Sequence, residues 1–239
     1  MRYLKKRIAK DESGITLIEL LVAVMLLGIL LAVVASLYVS SLRSVALGRE
    51  LTQNTKVASN AMNESARVIR AGTENPLTPP AVNAPAFVTA KKDDIVIYAY
   101  INLDSSEEQP QMIRLRVDRT TGDYVESRWP ATSVAGGRWT FPSNPCEKAG
   151  VPSGCSAPTS RKTIASTIPA SHGSVFRFFK KNGDEIVPPA SGLSAADRLL
   201  VSSVKVTIVV QTSLTDDSNP VRLENTVGMP NLGFAEESP

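Results

Sequence analysis

Gly14-Ile15-Thr16-Leu17-Ile18-Glu19-Leu20 opens an apolar run that extends to residue 39, and Glu19 is the one acidic or basic side chain within that run. Residues 20–35 are unbroken by charge, and 15–39 is long enough to cross a hydrocarbon core of about 30 Å as a helix. A charged acid in such a helix costs about 2.5 to 3.5 kcal/mol near the bilayer middle, so Glu19 needs a partner or a task. In front of the run lies a short basic leader, residues 1–14, with Arg2, Lys5, Lys6, Arg7 and Lys10 against Asp11 and Glu12.

A secretory signal peptide is cut after its apolar segment, which is then lost. Here the order of basic leader, glycine, acid and apolar helix invites a cut on the cytoplasmic side, between Gly14 and Ile15. Glu19 would become the fifth residue of the mature chain. The new amine of Ile15 and the Glu19 carboxylate would lie one helical turn apart, and an acid in the first turn also suits the positive end of the helix dipole. A local reading stands beside this one. Thr16-Leu17-Ile18-Glu19 fits the S/T-x-x-E capping box, in which Thr16 and Glu19 satisfy each other's backbone amides.

The leader, Gly14, the Thr-Leu-Ile-Glu-Leu run and the apolar stretch resemble the N-terminal segment of type IV prepilins and type II secretion pseudopilins. The resemblance implies cleavage after Gly14 by prepilin peptidase, N-methylation of Ile15, and a role for Glu19 in assembly and register through a neighbouring subunit's amine. Ile15 stands where major pilins usually carry phenylalanine, which points away from a major subunit. The retained Glu19 argues against a K-type tip subunit, and the outline is most similar to a J-type minor pseudopilin. Beyond the helix the resemblance is loose. The partners it implies are prepilin peptidase, other pilin or pseudopilin subunits met through the helix, and membrane lipid.

The chain has 239 residues, 43% hydrophobic and 21% charged, enough for one membrane helix and one domain of ordinary size. Basic residues on the N-terminal side of the apolar run place the N-terminus in the cytoplasm and the bulk outside the inner membrane. The formal charge of +3 is mostly the leader's; without residues 1–14 basic and acidic side chains balance, so charge gives no case for nucleic-acid binding.

The sequence divides into a leader (1–14), a transmembrane helix half (15–39), an extracytoplasmic helix half (40–72) and a mostly β head (73–239). From 40 to 70 there is no proline, and Ala58, Ala61, Met62, Ser65, Val68 and Ile69 recur at helical spacing, a stripe able to pack on a sheet. A continuous helix ending at Gly72 competes with one broken near Gly48. Residues 73–85, with Pro76, Pro79, Pro80 and Pro85, read as a linker or surface loop. Strands are predicted over 94–101, 112–117, 124–129, 175–180, 199–214 and 221–227, with 204–211 the best buried. Turns at Thr121-Gly122-Asp123 and Asn182-Gly183 make two hairpins. A long helix followed by antiparallel strands is an α+β arrangement, with the sheet wrapped on the helix.

Cys146 and Cys155 lie in a loop-like stretch. The extracytoplasmic compartment favours a disulfide over two free thiols, and closing so short a loop adds about 2 to 3 kcal/mol at most. Two cysteines and the single His172 make a four-ligand zinc site improbable, and no cofactor or metal is assigned. The acidic pairs Asp93-Asp94, Glu107-Glu108 and Asp216-Asp217 read as solvated turn charges, and calcium at Asp216, Asp217 and Asn219 would lack a loop signature. No nucleophile, P-loop or dinucleotide motif is present, so no catalytic residue is assigned. Two function classes remain. One is a minor pilin-like subunit that joins a type IV pilus-like or secretion filament in tip assembly or initiation. The other is a membrane-anchored binding or adhesion module that does not polymerise.

Overall fold

A computed structural model of the protein describes residues 14–75, 83–101, 109–134, 138–143, 145–146, 155–214 and 219–232. Without a proline and with many leucines and alanines, residues 17–70 form one helix, α1 (Leu17–Arg70). Gly48 lies inside it, so the alternative break is not adopted; an isolated glycine costs about 1 kcal/mol, which the surrounding helix formers outweigh. The helix ends at Arg70, ahead of the expected Gly72. Gly72 is instead a point of close approach, bridged to Ala99, where a Cβ would sit 2.5 Å from Met229 Cε and 2.7 Å from Ile97 Cδ1.

The chain divides into two units, Met1–Arg49 and Glu50–Pro239. In the first, every described residue from 14 to 49 is exposed, including the whole apolar run. The second contains β1 (Phe87–Ala90), β2 (Asp94–Ala99), β3 (Gln111–Asp118), β4 (Asp123–Pro130), β5 (Thr132–Val134), β6 (Arg138–Thr140), β7 (Ser160–Ala165), β8 (Phe176–Phe179), β9 (Glu185–Ile186), the short helix α2 (Ala195–Leu199), β10 (Ser203–Val210) and β11 (Val221–Gly228). One sheet has the order β1-β2-β3-β4-β7, a second β11-β10-β8-β9, and β5 and β6 form a ribbon. All these pairings are antiparallel, and the fold is α+β.

Strand periodicity sets which faces meet. Ile95 and Ile97 of β2 pair with Leu115 and Ile113 of β3, all four fully buried, as expected when alternate residues face one core. The same core takes in Tyr124 of β4, Phe176 and Phe178 of β8, and Val204, Val206 and Ile208 of β10. From α1 it receives Ala58, Ala61, Met62, Val68 and Ile69; with the buried Ser65 these are the residues of the predicted stripe.

Other expectations are revised. The predicted strand over 199–214 shrinks to β10, because Ser194 caps α2 by accepting from the Asp197 amide at 3.1 Å and carries the chain as helix to Leu199. β1, β5, β6, β7 and β9 escaped the sequence reading; they are short or, in β7, mostly polar and exposed. Residues 76–82 of the predicted linker, and the pairs Glu107-Glu108 and Asp216-Asp217, lie outside the described residues.

The two predicted turns are present. Gly122, at φ +71°, donates its amide to Asp118 O at 2.7 Å between β3 and β4, and Gly183, at φ +89°, turns β8 into β9. A Cβ on Gly122 would meet Ile168 N at 3.1 Å and Ile168 O at 3.2 Å. Gly122→Ala therefore combines a left-handed backbone with a steric conflict, and chemical denaturation of the full chain should show a loss of about 1 to 3 kcal/mol. Unchanged stability would contradict this account of the turn.

Candidate functional site

The sequence-predicted processing site lies immediately before α1. Gly14 and Ile15 are exposed; Ile15 retains 75% of its accessible surface. Thr16 takes the cap position, which moves the helix start to Leu17. The Thr16 amide donates to Glu19 Oε2 at 3.0 Å, the Thr16 hydroxyl donates to the same oxygen at 2.9 Å, and the Glu19 amide donates to Thr16 Oγ1 at 3.3 Å. This is the reciprocal capping box, and it holds the carboxylate against the first turn, beside the chain segment where a cut after Gly14 would leave a free amine. Downstream, α1 is long and apolar enough to cross a membrane.

Cys146 and Cys155 are joined in a disulfide, with Cα atoms 5.6 Å apart. What it staples is a second, smaller core on the outer face of the first sheet, where Val96, Met112 and Trp129 are buried with Val88, Tyr98 and Phe141 against them. The rings of Tyr98 and Phe141 lie 4.5 Å apart. Ser156, next to Cys155, offers its carbonyl to both the Trp129 indole N–H at 2.9 Å and the Cys146 amide at 3.0 Å. The bridge thus fixes the segment that satisfies and covers Trp129.

Asp93 and Asp94 are not solvated turn charges. Asp94 opens β2 and binds Arg114 through two hydrogen bonds of 2.8 and 2.6 Å, while Asp93 accepts from Arg119, which also reaches Pro169 O at 2.8 Å. His172 lies in a 3-10 turn, Ala170–His172. Among the described residues no group of three or more His, Cys, Asp or Glu is placed to hold a metal ion.

Sequence reasoning missed a polar seam between α1 and β4. Ser65 donates to Ala61 O at 2.6 Å and lies 2.7 Å from the Tyr124 hydroxyl. Burial pushes the Tyr124 pKa up, with the Ser65 bond acting against it. Beside it, Arg128 of β4 bridges Glu126 and Glu64, reaching Glu64 Oε1 at 3.2 Å, and Arg67 donates to Glu64 Oε2 at 3.1 Å. The signal in the sequence was the alternation Tyr124, Glu126, Arg128, which reads equally well as a solvated strand face.

Residues 9–35 match the family model described as the prokaryotic N-terminal methylation motif. No curated protein sequence matches the chain. The motif supports the type IV pilin and pseudopilin family and indicates a pilin-like protein processed by prepilin peptidase, assembling with other pilin subunits. It is a structural family, not an enzyme family, and together with the apolar helix it fits a single-pass inner-membrane anchor.

Replacing both Cys146 and Cys155 by serine should cost about 2 to 3 kcal/mol at most and uncover the outer core. In a Trp139→Phe background the remaining indole, Trp129, is expected to become accessible to a soluble fluorescence quencher. Protection equal to that of the disulfide-bonded chain would contradict the staple.

Proposed function

We propose that this chain is a minor pilin-like subunit, cut by prepilin peptidase between Gly14 and Ile15, N-methylated on Ile15, and incorporated through α1 into a type IV pilus-like or type II secretion filament. Its place is in tip assembly or initiation, and within the class it is most like a J-type minor pseudopilin, on the strength of a retained Glu19 and a large, mostly β head. The leader then lies in the cytoplasm and the β domain outside the membrane, with which the disulfide agrees.

The observation that carries this reading is Glu19 itself, an acid held at the first turn of a helix that is otherwise uncharged and apolar as far as residue 39, within the matched motif and five residues after Gly14. The two hydrogen bonds that the carboxylate accepts from the Thr16 amide and hydroxyl relieve part of its cost at the membrane, and a free N-methylated amine would relieve more by pairing with it. In a filament that amine comes from a neighbouring subunit and fixes axial register. The same local cap is also the observation favouring the second reading, an anchored binding module that never polymerises, because Thr16 already partners Glu19 within one chain.

Glu19→Ala and Glu19→Gln separate the two. Glutamine keeps an acceptor for the Thr16 amide but has no charge. Both variants should be processed to the same mature mass, and both should fall by at least about tenfold in co-purification with filament subunits. Normal incorporation of Glu19→Gln would leave the carboxylate as a cap alone and contradict the assembly role.

A further inference from the structure

We propose that Glu64 and Glu126 share a single proton across the seam between α1 and β4, so that this seam is tightened by acid and loosened by alkali.

The geometry comes from strand register. In β4 the helix-facing row is Tyr124, Glu126 and Arg128, opposite Val117, Leu115 and Ile113 of β3. The Glu126 side chain is only 4% exposed. Its Oε1 accepts from Arg128 Nε; its Oε2 is buried and accepts no hydrogen bond among the described residues. The arginine donors go chiefly to Glu64, which takes Arg67 on both oxygens and Arg128 Nη2 on Oε1. Glu126 Oε2 is therefore a buried acceptor without a donor among the described residues, on a side chain that shares Arg128 with another carboxylate. Two acceptors cannot satisfy each other, and a proton on Oε2 converts the conflict into a hydrogen bond from Glu126 to Glu64.

The other groups facing the pair leave this intact. Lys162 of β7, opposite Glu126 in register, is exposed to solvent. The Tyr124 hydroxyl is engaged with Ser65, and Leu115 on the β3 side is apolar. Burial, and then the Glu64 contact, push the Glu126 carboxyl above the ordinary glutamate range. Burial works against the charged form of Glu64, yet Arg67, the Glu126 contact and Arg128 hold that carboxyl below the range.

The signs follow. A carboxyl raised in the folded chain keeps a proton the unfolded chain has released, so its contribution is present at low pH and is lost as pH rises through its folded value. Glu64 contributes in the opposite sense, present above the ordinary glutamate range and lost only as pH falls below it. Above that range the Glu126 proton sets the local slope.

The test uses the full chain in detergent, followed by infrared spectroscopy and by chemical denaturation across pH. At a pH just above the ordinary glutamate range the native chain should show the carbonyl stretch of a protonated carboxylic acid, and its stability should fall as pH rises through that region. Glu126→Gln, whose amide can donate to Glu64 at every pH, should lose the band and change that slope by about one proton. Glu64→Gln, which gives Glu126 a neutral amide neighbour, should also lose the band, and carries the test should Glu126→Gln not fold. Absence of the band just above the ordinary glutamate range in the native chain, or its persistence in either variant, would overturn the proposal.

Discussion

Ala58, Ala61 and Ser65 of α1 have no exposed surface, and the close approach of helix to sheets at these three positions is the constraint on which the rest of the Glu50–Pro239 unit depends. Small side chains allow the backbone of α1 to lie near the large residues of the facing strands, among them Tyr124, Phe176 and Ile113. Close approach also buries polar atoms, which must then be paired. Ser65 gives its proton to Ala61 O, leaving its oxygen to accept from the Tyr124 hydroxyl, so one serine satisfies both itself and a fully buried tyrosine. Gly72 continues the logic two residues past the helix, where a methyl group would collide with Met229 and Ile97.

Within α1 the sequence meets two different solvents. Residues 15–39 present an apolar surface with no protein cover among the described residues, the pattern of a lipid-facing or subunit-facing helix, whereas residues from Asn54 onward bury a stripe of small and apolar side chains. The one acid in the apolar stretch is not left bare: the Thr16 amide and hydroxyl both donate to its carboxylate before any other chain is present. The cap and a role in assembly use different capacities of one group. A carboxylate has about four acceptor positions, and the Thr16 amide and hydroxyl use two of them.

What could be read in the sequence follows from where the physics is local. The apolar run, the capping box, the Gly122 and Gly183 turns and the alternation in β2, β3 and β10 are short-range patterns, and each marks its element in the structure. The stripe from Ala58 to Ile69 was visible because helical spacing is a one-dimensional property. Elements whose identity depends on partners were not legible. β7 is mostly polar and exposed and takes its place as a strand at the edge that β4 offers, and β5 and β6, at three residues each, are held by each other. Asp93 and Asp94 looked like loop charges because their arginines, Arg119 and Arg114, lie 26 and 20 residues away in sequence. The seam of Glu64, Glu126 and Arg128 was hidden for the same reason.

The functional account rests on the N-terminal segment, where motif, cap and apolar helix coincide. Its central claim is that the chain is cut after Gly14, and N-terminal mass spectrometry of the protein from membranes, with and without active prepilin peptidase, tests it directly. The account predicts a mature end at N-methylated Ile15 that disappears when the peptidase is absent. An intact leader beginning at Met1 in cells with active peptidase would contradict it and leave Glu19 as a helix cap on an ordinary anchored domain.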